Sequence, residues 1–152
     1  NRDLRSEMRE MNNYFPEIET VASDILKAVD YPGSGPVSER ILMDVCDYFG
    51  FSVKRAENIP HSTRSITDQR EKIIYIPQRN DLSTRASRSV VLQTLGHYAL
   101  NHEVADDVGT YLRQRVESNY FAAAILAPEK PAVDFLQKAY GANPLLFTKK
   151  RT

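Results

Sequence analysis

The sequence predicts an α+β domain: helices around a small, mainly antiparallel three-stranded sheet. Three observations predict it. Apolar residues recur at helical 3–4 spacing between residues 15 and 49, the period drops to two between 51 and 77, and helical spacing returns from residue 83. Helices on either side of one short run of strands must share a single core.

Residues 4–11 read as a polar helix or linker tail. Phe15, Ile18, Val21, Ala22, Ile25, Leu26 and Val29 then fall on one helical face. The breaker cluster Tyr31-Pro-Gly-Ser-Gly-Pro36 ends that helix in a loop. Ser38 can cap a second helix with the face Ile41, Leu42, Val45, Cys46 and Phe49, and Gly50 supplies its C′ stop. Alternation at 51–55 and 63–67 suggests two half-buried strands, and Asp68-Gln-Arg-Glu71 a turn. Lys72-Ile-Ile-Tyr-Ile-Pro77 is the strongest strand, β-branched and aromatic, stopped by proline. Close strands joined by short turns suggest a meander. A helix follows from Ser83 to about His102, another from Val108 to Leu126 before Pro128, and a third from Ala132 to Tyr140. The expected organisation is an N-terminal helical segment and loop over 1–36, a main domain over 37–141 and a tail over 142–152.

The 152 residues suffice for one core, and 41% hydrophobic with 26% charged residues excludes a mainly disordered chain. No apolar run approaches the roughly 20 residues of a membrane helix, so no membrane partner is expected. The chain opens on Asn1 without a secretory pattern and reads as a piece of a longer protein. A single cysteine, Cys46, excludes an internal disulfide framework and suits a reducing cytoplasm. Lys and Arg, at 20, balance Asp and Glu, at 20, so nothing global points to nucleic acid. Charge is nonetheless segregated. Residues 1–50 carry five basic against ten acidic side chains, whereas residues 61–88 carry six basic against three acidic. A locally positive segment in a neutral chain suits a compact anion, and a solvated charged face equally.

The chemistry concentrates in Ser89–His102 and Glu117–Pro128. In the zinc motif H-E-x-x-H, two histidines four apart share a helix face and a metal, and the glutamate is the base. With His97 as the second histidine, Gln93 stands at the first ligand and Thr94 at the base. An amide is a poor zinc ligand, and a threonine hydroxyl cannot deprotonate zinc-bound water at neutral pH. Glu117 is the kind of carboxylate that such sites recruit from a following helix.

Leu95-Gly-His-Tyr-Ala-Leu-Asn-His102 and Glu117-Ser-Asn-Tyr-Phe-Ala-Ala-Ala-Ile-Leu-Ala-Pro128 together resemble the paired helices of the ImmA/IrrE-type metallopeptidase domain, over about residues 38–140. Within that family, Asn13-Tyr-Phe-Pro16 and Ser87–His97 look most like the actinobacterial short-chain fatty-acyl regulators, the group of the propionate regulator PrpR and the acetate regulator RamB. The resemblance implies a degenerate zincin-like fold in which Lys72–Pro77 is an edge strand flanking the cleft. It also implies a ligand-sensing domain that binds coenzyme A or a short-chain acyl-CoA, with DNA bound only through a module outside this chain.

The reading is therefore an effector domain of a bacterial transcription regulator, cytoplasmic and homodimeric, with no catalytic residues and no metal. The alternatives are an active zinc metallopeptidase that cleaves a repressor, or a dimerisation module without a small ligand. The expected ligand-binding residues are Arg79, Arg85, Arg88, Gln93, Thr94, His97, Tyr98, Glu117, Tyr120 and Phe121. Arg79, Arg85 and Arg88 flank a helix N-terminus, where cations are disfavoured unless an anion sits nearby. Arg113 and Arg115 are further cations, and Tyr75 or Tyr14 a possible adenine stack. Tyr98 and Tyr120 suit a pocket because a hydroxyl wants a polar neighbour, and Phe121 suits pocket or core equally. Asn119 reads as a structural hydrogen-bonder. His102, about 140° around the helix from His97, reads as a C-terminal residue favoured by the dipole and His61 as a loop residue without a role.

Overall fold

A computed structural model of the chain describes residues 15–128. The segment 4–11, Tyr14, the helix expected at 132–140 and the tail at 142–152 lie outside the described residues.

Helix α1 (Pro16–Ala28) starts on a proline at its first position, where the missing N–H costs nothing. It buries Ile18, Ala22, Ile25 and Leu26. Helix α2 (Glu39–Tyr48) is capped as expected, with Ser38 Oγ accepting from the Ile41 N–H at 3.2 Å. It ends in a Schellman turn: Gly50 sits at φ +77°, its N–H bonds to the Asp47 carbonyl, and the Phe51 N–H bonds to that of Cys46. Cys46 is fully buried on this helix. Burial, with the neighbouring Asp47 carboxylate as the smaller cause, pushes its thiol up to about 12, so it packs as a small apolar group.

The three strands are β1 (Ser52–Ala56), β2 (Ile66–Asp68) and β3 (Ile73–Pro77). The α+β class and the strand count stand as expected, but the sheet is mixed and is not a meander. Its order is β1-β3-β2, with β1 parallel to β3 from Ser52↔Ile73 to Ala56↔Pro77, and β2 antiparallel to β3. Apolarity decides who sits in the middle. Ile74, Ile76 and Pro77 of β3 are buried, whereas no residue of β1 or β2 is buried, as suits edge strands. Lys72–Pro77, expected as an edge strand, is thus the central strand, and β1 and β2 are the edges. The turn between them lies where expected, with Asp68 Oδ1 accepting from the N–H groups of Arg70 and Glu71.

Helix α3 (Arg85–Ala99) is capped by Thr84, whose Oγ1 accepts from the Ser87 N–H. Helix α4 (Val108–Leu126) is capped by Asp107, which accepts from the Thr110 N–H at 2.7 Å. The α4 bounds match the sequence expectation, but its second half does not behave as an amphipathic helix. Every residue from Ser118 to Leu126 is buried. This half runs through the middle of the molecule, between α1 and α3, where an all-round apolar helix belongs. One core cluster joins α1, α2, the sheet, α3 and α4.

Candidate ligand-binding groove

A groove runs along one stripe of α3, made of Val90, Gln93, Thr94 and His97. Positions spaced 3, 1 and 3 share a helix face. The opposite walls are α4 and the chain that leads into β2, and the groove has three chambers that share lining residues, ordered along α3 from its C-terminal end, the inner, to its start, the outer. The inner one, about 390 Å³, lies among Thr67 and Gln69 of the β2 end, Thr94, His97 and Tyr98 of α3, and His102. The middle one, about 220 Å³, shares Thr94 and His97 and adds Arg64, Arg115 and Asn119. The outer one, also about 220 Å³, shares Arg64 and Val90 and adds His61, Arg79 and Ser87 near the start of α3. Among the described residues, no Asp or Glu lines the middle or outer chamber. The one acid on the inner chamber is Glu103. Segregation of charge in the sequence thus becomes an arginine-lined trough.

The most ordered polar feature is a relay that the sequence reading missed. The α3 helix ends at Ala99 and closes in a second Schellman turn: Asn101 takes φ +56°, and the His102 N–H bonds to the His97 carbonyl at 2.9 Å. The turn folds His102 back over His97, so an angular offset that holds for a continuous helix does not apply. His97 Nδ1 and His102 Nδ1 are 2.9 Å apart, and His102 Nε2 lies 2.7 Å from Glu117 Oε1. The carboxylate accepts, so His102 carries its proton on Nε2. With His102 neutral, its Nδ1 would accept from His97 Nδ1–H and leave His97 Nε2 as a lone pair. Burial, and to a smaller degree the facing His102 ring, lowers the His97 imidazole below its ordinary value. The available signal was Asn101: asparagine readily takes the left-handed position that ends a helix.

The structure brings together some of the expected site residues and disperses others. Gln93, Thr94, His97 and Tyr98 line the groove, and Glu117 meets it through His102. Gln93 Nε2 donates to Ser89 Oγ, and the Thr94 hydroxyl donates to the Val90 carbonyl. Tyr98 leans on the Phe51 ring at 4.9 Å, and burial raises its phenol. Arg79 lines the outer chamber. Arg88 is instead spent on structure, since its guanidinium donates to the carbonyls of Leu82 and Val37 and ties two loops to α3. Arg85 is exposed at the first residue of α3 and lines none of the three chambers, and neither does Tyr75.

Tyr120 and Phe121 are core residues, not groove residues. Both are fully buried; Tyr120 donates to Glu19 Oε2 at 2.7 Å and stands edge-on to Phe15. The hydroxyl does find a polar neighbour, but on α1. In place of Arg85 and Arg88, Arg64 and Arg115 are the cations that flank the middle chamber.

Among the described residues, no three His, Cys, Asp or Glu side chains are grouped to hold a metal ion. The relay residues bond to one another directly, in a line. Nor is any described helix long and apolar enough to cross a membrane.

No family model matches the chain, and no curated protein matches it in sequence. Among solved structures, a Mycobacterium tuberculosis transcriptional regulator shares the fold, with a TM-score of 0.62 and 17% identity. The alignment covers 89% of this chain and 51% of that one, so the chain spans about half the length of the regulator. At this identity the likeness is one of fold.

Proposed function

We propose that the groove is the effector site of a bacterial transcription regulator and takes coenzyme A or a short-chain acyl-CoA. The observation that carries this reading is the trough itself: Arg64 and Arg79 face an outer chamber with no acid on its walls, at the start of α3. Phosphates find there two guanidiniums and a helix N-terminus. The acyl end would lie inward along Val90 and Tyr111. His97, on the middle and inner chambers, would offer Nε2 to a ligand N–H. The regulator-like fold supports the same reading.

The domain acts without peptide chemistry in this proposal. Gln93 and Thr94 occupy the positions where zinc hydrolysis needs imidazole and carboxylate, and both are bonded within their own helix. Ligand in the groove would touch α3, α4 and the segment before β2 at once. It would favour one arrangement of these elements over others, and that population shift is what an attached DNA-binding module, in a homodimer, would read.

Calorimetric titration with acetyl-, propionyl- and free CoA tests the proposal. Binding is expected to weaken about tenfold in Arg79→Gln, from loss of a charge-assisted phosphate contact. No heat and no thermal shift with any of the three removes the reading. Peptide cleavage abolished by a chelator would instead restore the metallopeptidase.

A further inference from the structure

Asn119 is the odd residue of the groove. Its side chain lines the middle chamber and is only 6% exposed, yet among the described residues its amide has no hydrogen-bond partner. Leaving a buried amide unpaired costs about 1–3 kcal/mol, so natural cores avoid it. Three of its neighbours already donate elsewhere. The Ser118 hydroxyl donates to the Arg115 carbonyl, the Thr94 hydroxyl to the Val90 carbonyl, and Gln114 Nε2 to the Glu103 carbonyl. Arg115 lies one turn before Asn119 on the same face of α4, and Arg64 closes the chamber from the opposite wall. Around this space two guanidiniums, the Ser65 and Tyr111 hydroxyls and an amide that offers two N–H bonds stand beside His97.

From this set we infer that the middle chamber is a carboxylate subsite, and that the effector carries a free carboxylate on its short acyl end. A carboxylate is compact and planar, accepts up to four hydrogen bonds, and matches an arginine fork beside an amide. An uncharged acyl tail would offer Asn119 only its thioester carbonyl and would give the two guanidiniums no counter-charge. The inference concerns the effector's class within the proposed function, but its observation, the orphaned amide between two arginines, is separate from the phosphate end.

The test compares succinyl-CoA with butyryl-CoA, equal in chain length and different in end charge, together with free succinate, succinamide and inorganic phosphate. Succinyl-CoA is expected to bind about tenfold tighter than butyryl-CoA, and succinate to bind where succinamide does not. Arg115→Gln, an exposed position that should fold, brings the succinyl-to-butyryl ratio close to one; Asn119→Leu should do the same if it folds. Equal affinity for the two thioesters in the wild type overturns the carboxylate inference and leaves the CoA reading standing. Phosphate that displaces succinate from the middle chamber at equal concentration overturns it too. If succinate binds in an Arg115-dependent way while no CoA compound binds, the subsite stands and the CoA reading falls. If nothing binds, both fall.

Discussion

At the scale of single residues, the decisive group is His97. Its ring is half-buried, and desolvation holds its imidazole below the ordinary value near 6.5. Between the lowered native value and about 6.5 the unfolded chain binds a proton that the native protein refuses, so stability falls as pH drops through that window. Urea midpoints at pH 7 and pH 5 should therefore differ more for the wild type than for His97→Gln, and identical pH dependence in the two proteins would contradict the assignment. This residue was legible in the sequence as a cleft histidine. Its partner His102 was not, because spacing along a helix says nothing about a residue beyond the helix end. Arg88 failed for a related reason: its place at the head of α3 was right, but only the fold shows that carbonyls of Leu82 and Val37 take its donors.

Among elements, the closest fit is between α3 and α4, and Gly96 permits it. A methyl group there would lie 3.2 Å from Ser118 Cα, Ser118 Cβ and Phe121 Cδ2. None of these is a flexible tip, and Phe121 is fully buried. Alanine would gain about 1 kcal/mol of helix propensity and lose about 1–3 kcal/mol to overpacking. Gly96→Ala is thus expected to lose about 1 kcal/mol of stability on balance, read from the urea midpoint. A variant more stable than the wild type would mean that the helices move apart freely. Caps and stops at this scale were legible: Ser38, Gly50 and Pro128 end or begin helices where their chemistry says they should. The strand order was not. A period of two identifies a strand but leaves its neighbours open, and here the most apolar strand claimed the centre.

On the scale of the whole molecule, α1 is joined to the rest through α4. The Tyr120 hydroxyl bonds to Glu19 across the core, and its ring meets Phe15. Tyr120→Phe keeps the ring and removes the bond to a carboxylate, a loss of about 1.5–3 kcal/mol. Hydrogen exchange should quicken in residues 16–28 more than in β3; an equal change in both would show that α1 does not open separately. The same core cluster that holds α1 also holds the groove's floor, since Val91, Leu92 and Leu95 of α3 face inward while Gln93, Thr94 and His97 face out.

The sequence by itself determined the α+β class and the four described helices, because periodicity and capping are local and each residue carries its own preference, while the spacing of the H-E-x-x-H motif singled out Gln93, Thr94 and His97 of α3. Only the tertiary structure decided that β3 lies between β1 and β2, that Tyr120 serves the core, that His102 returns to His97, and that Asn119 is buried without a partner among the described residues. Those outcomes depend on which surfaces meet, and a hydrogen bond or a buried face belongs to two segments at once, so neither segment read alone contains it.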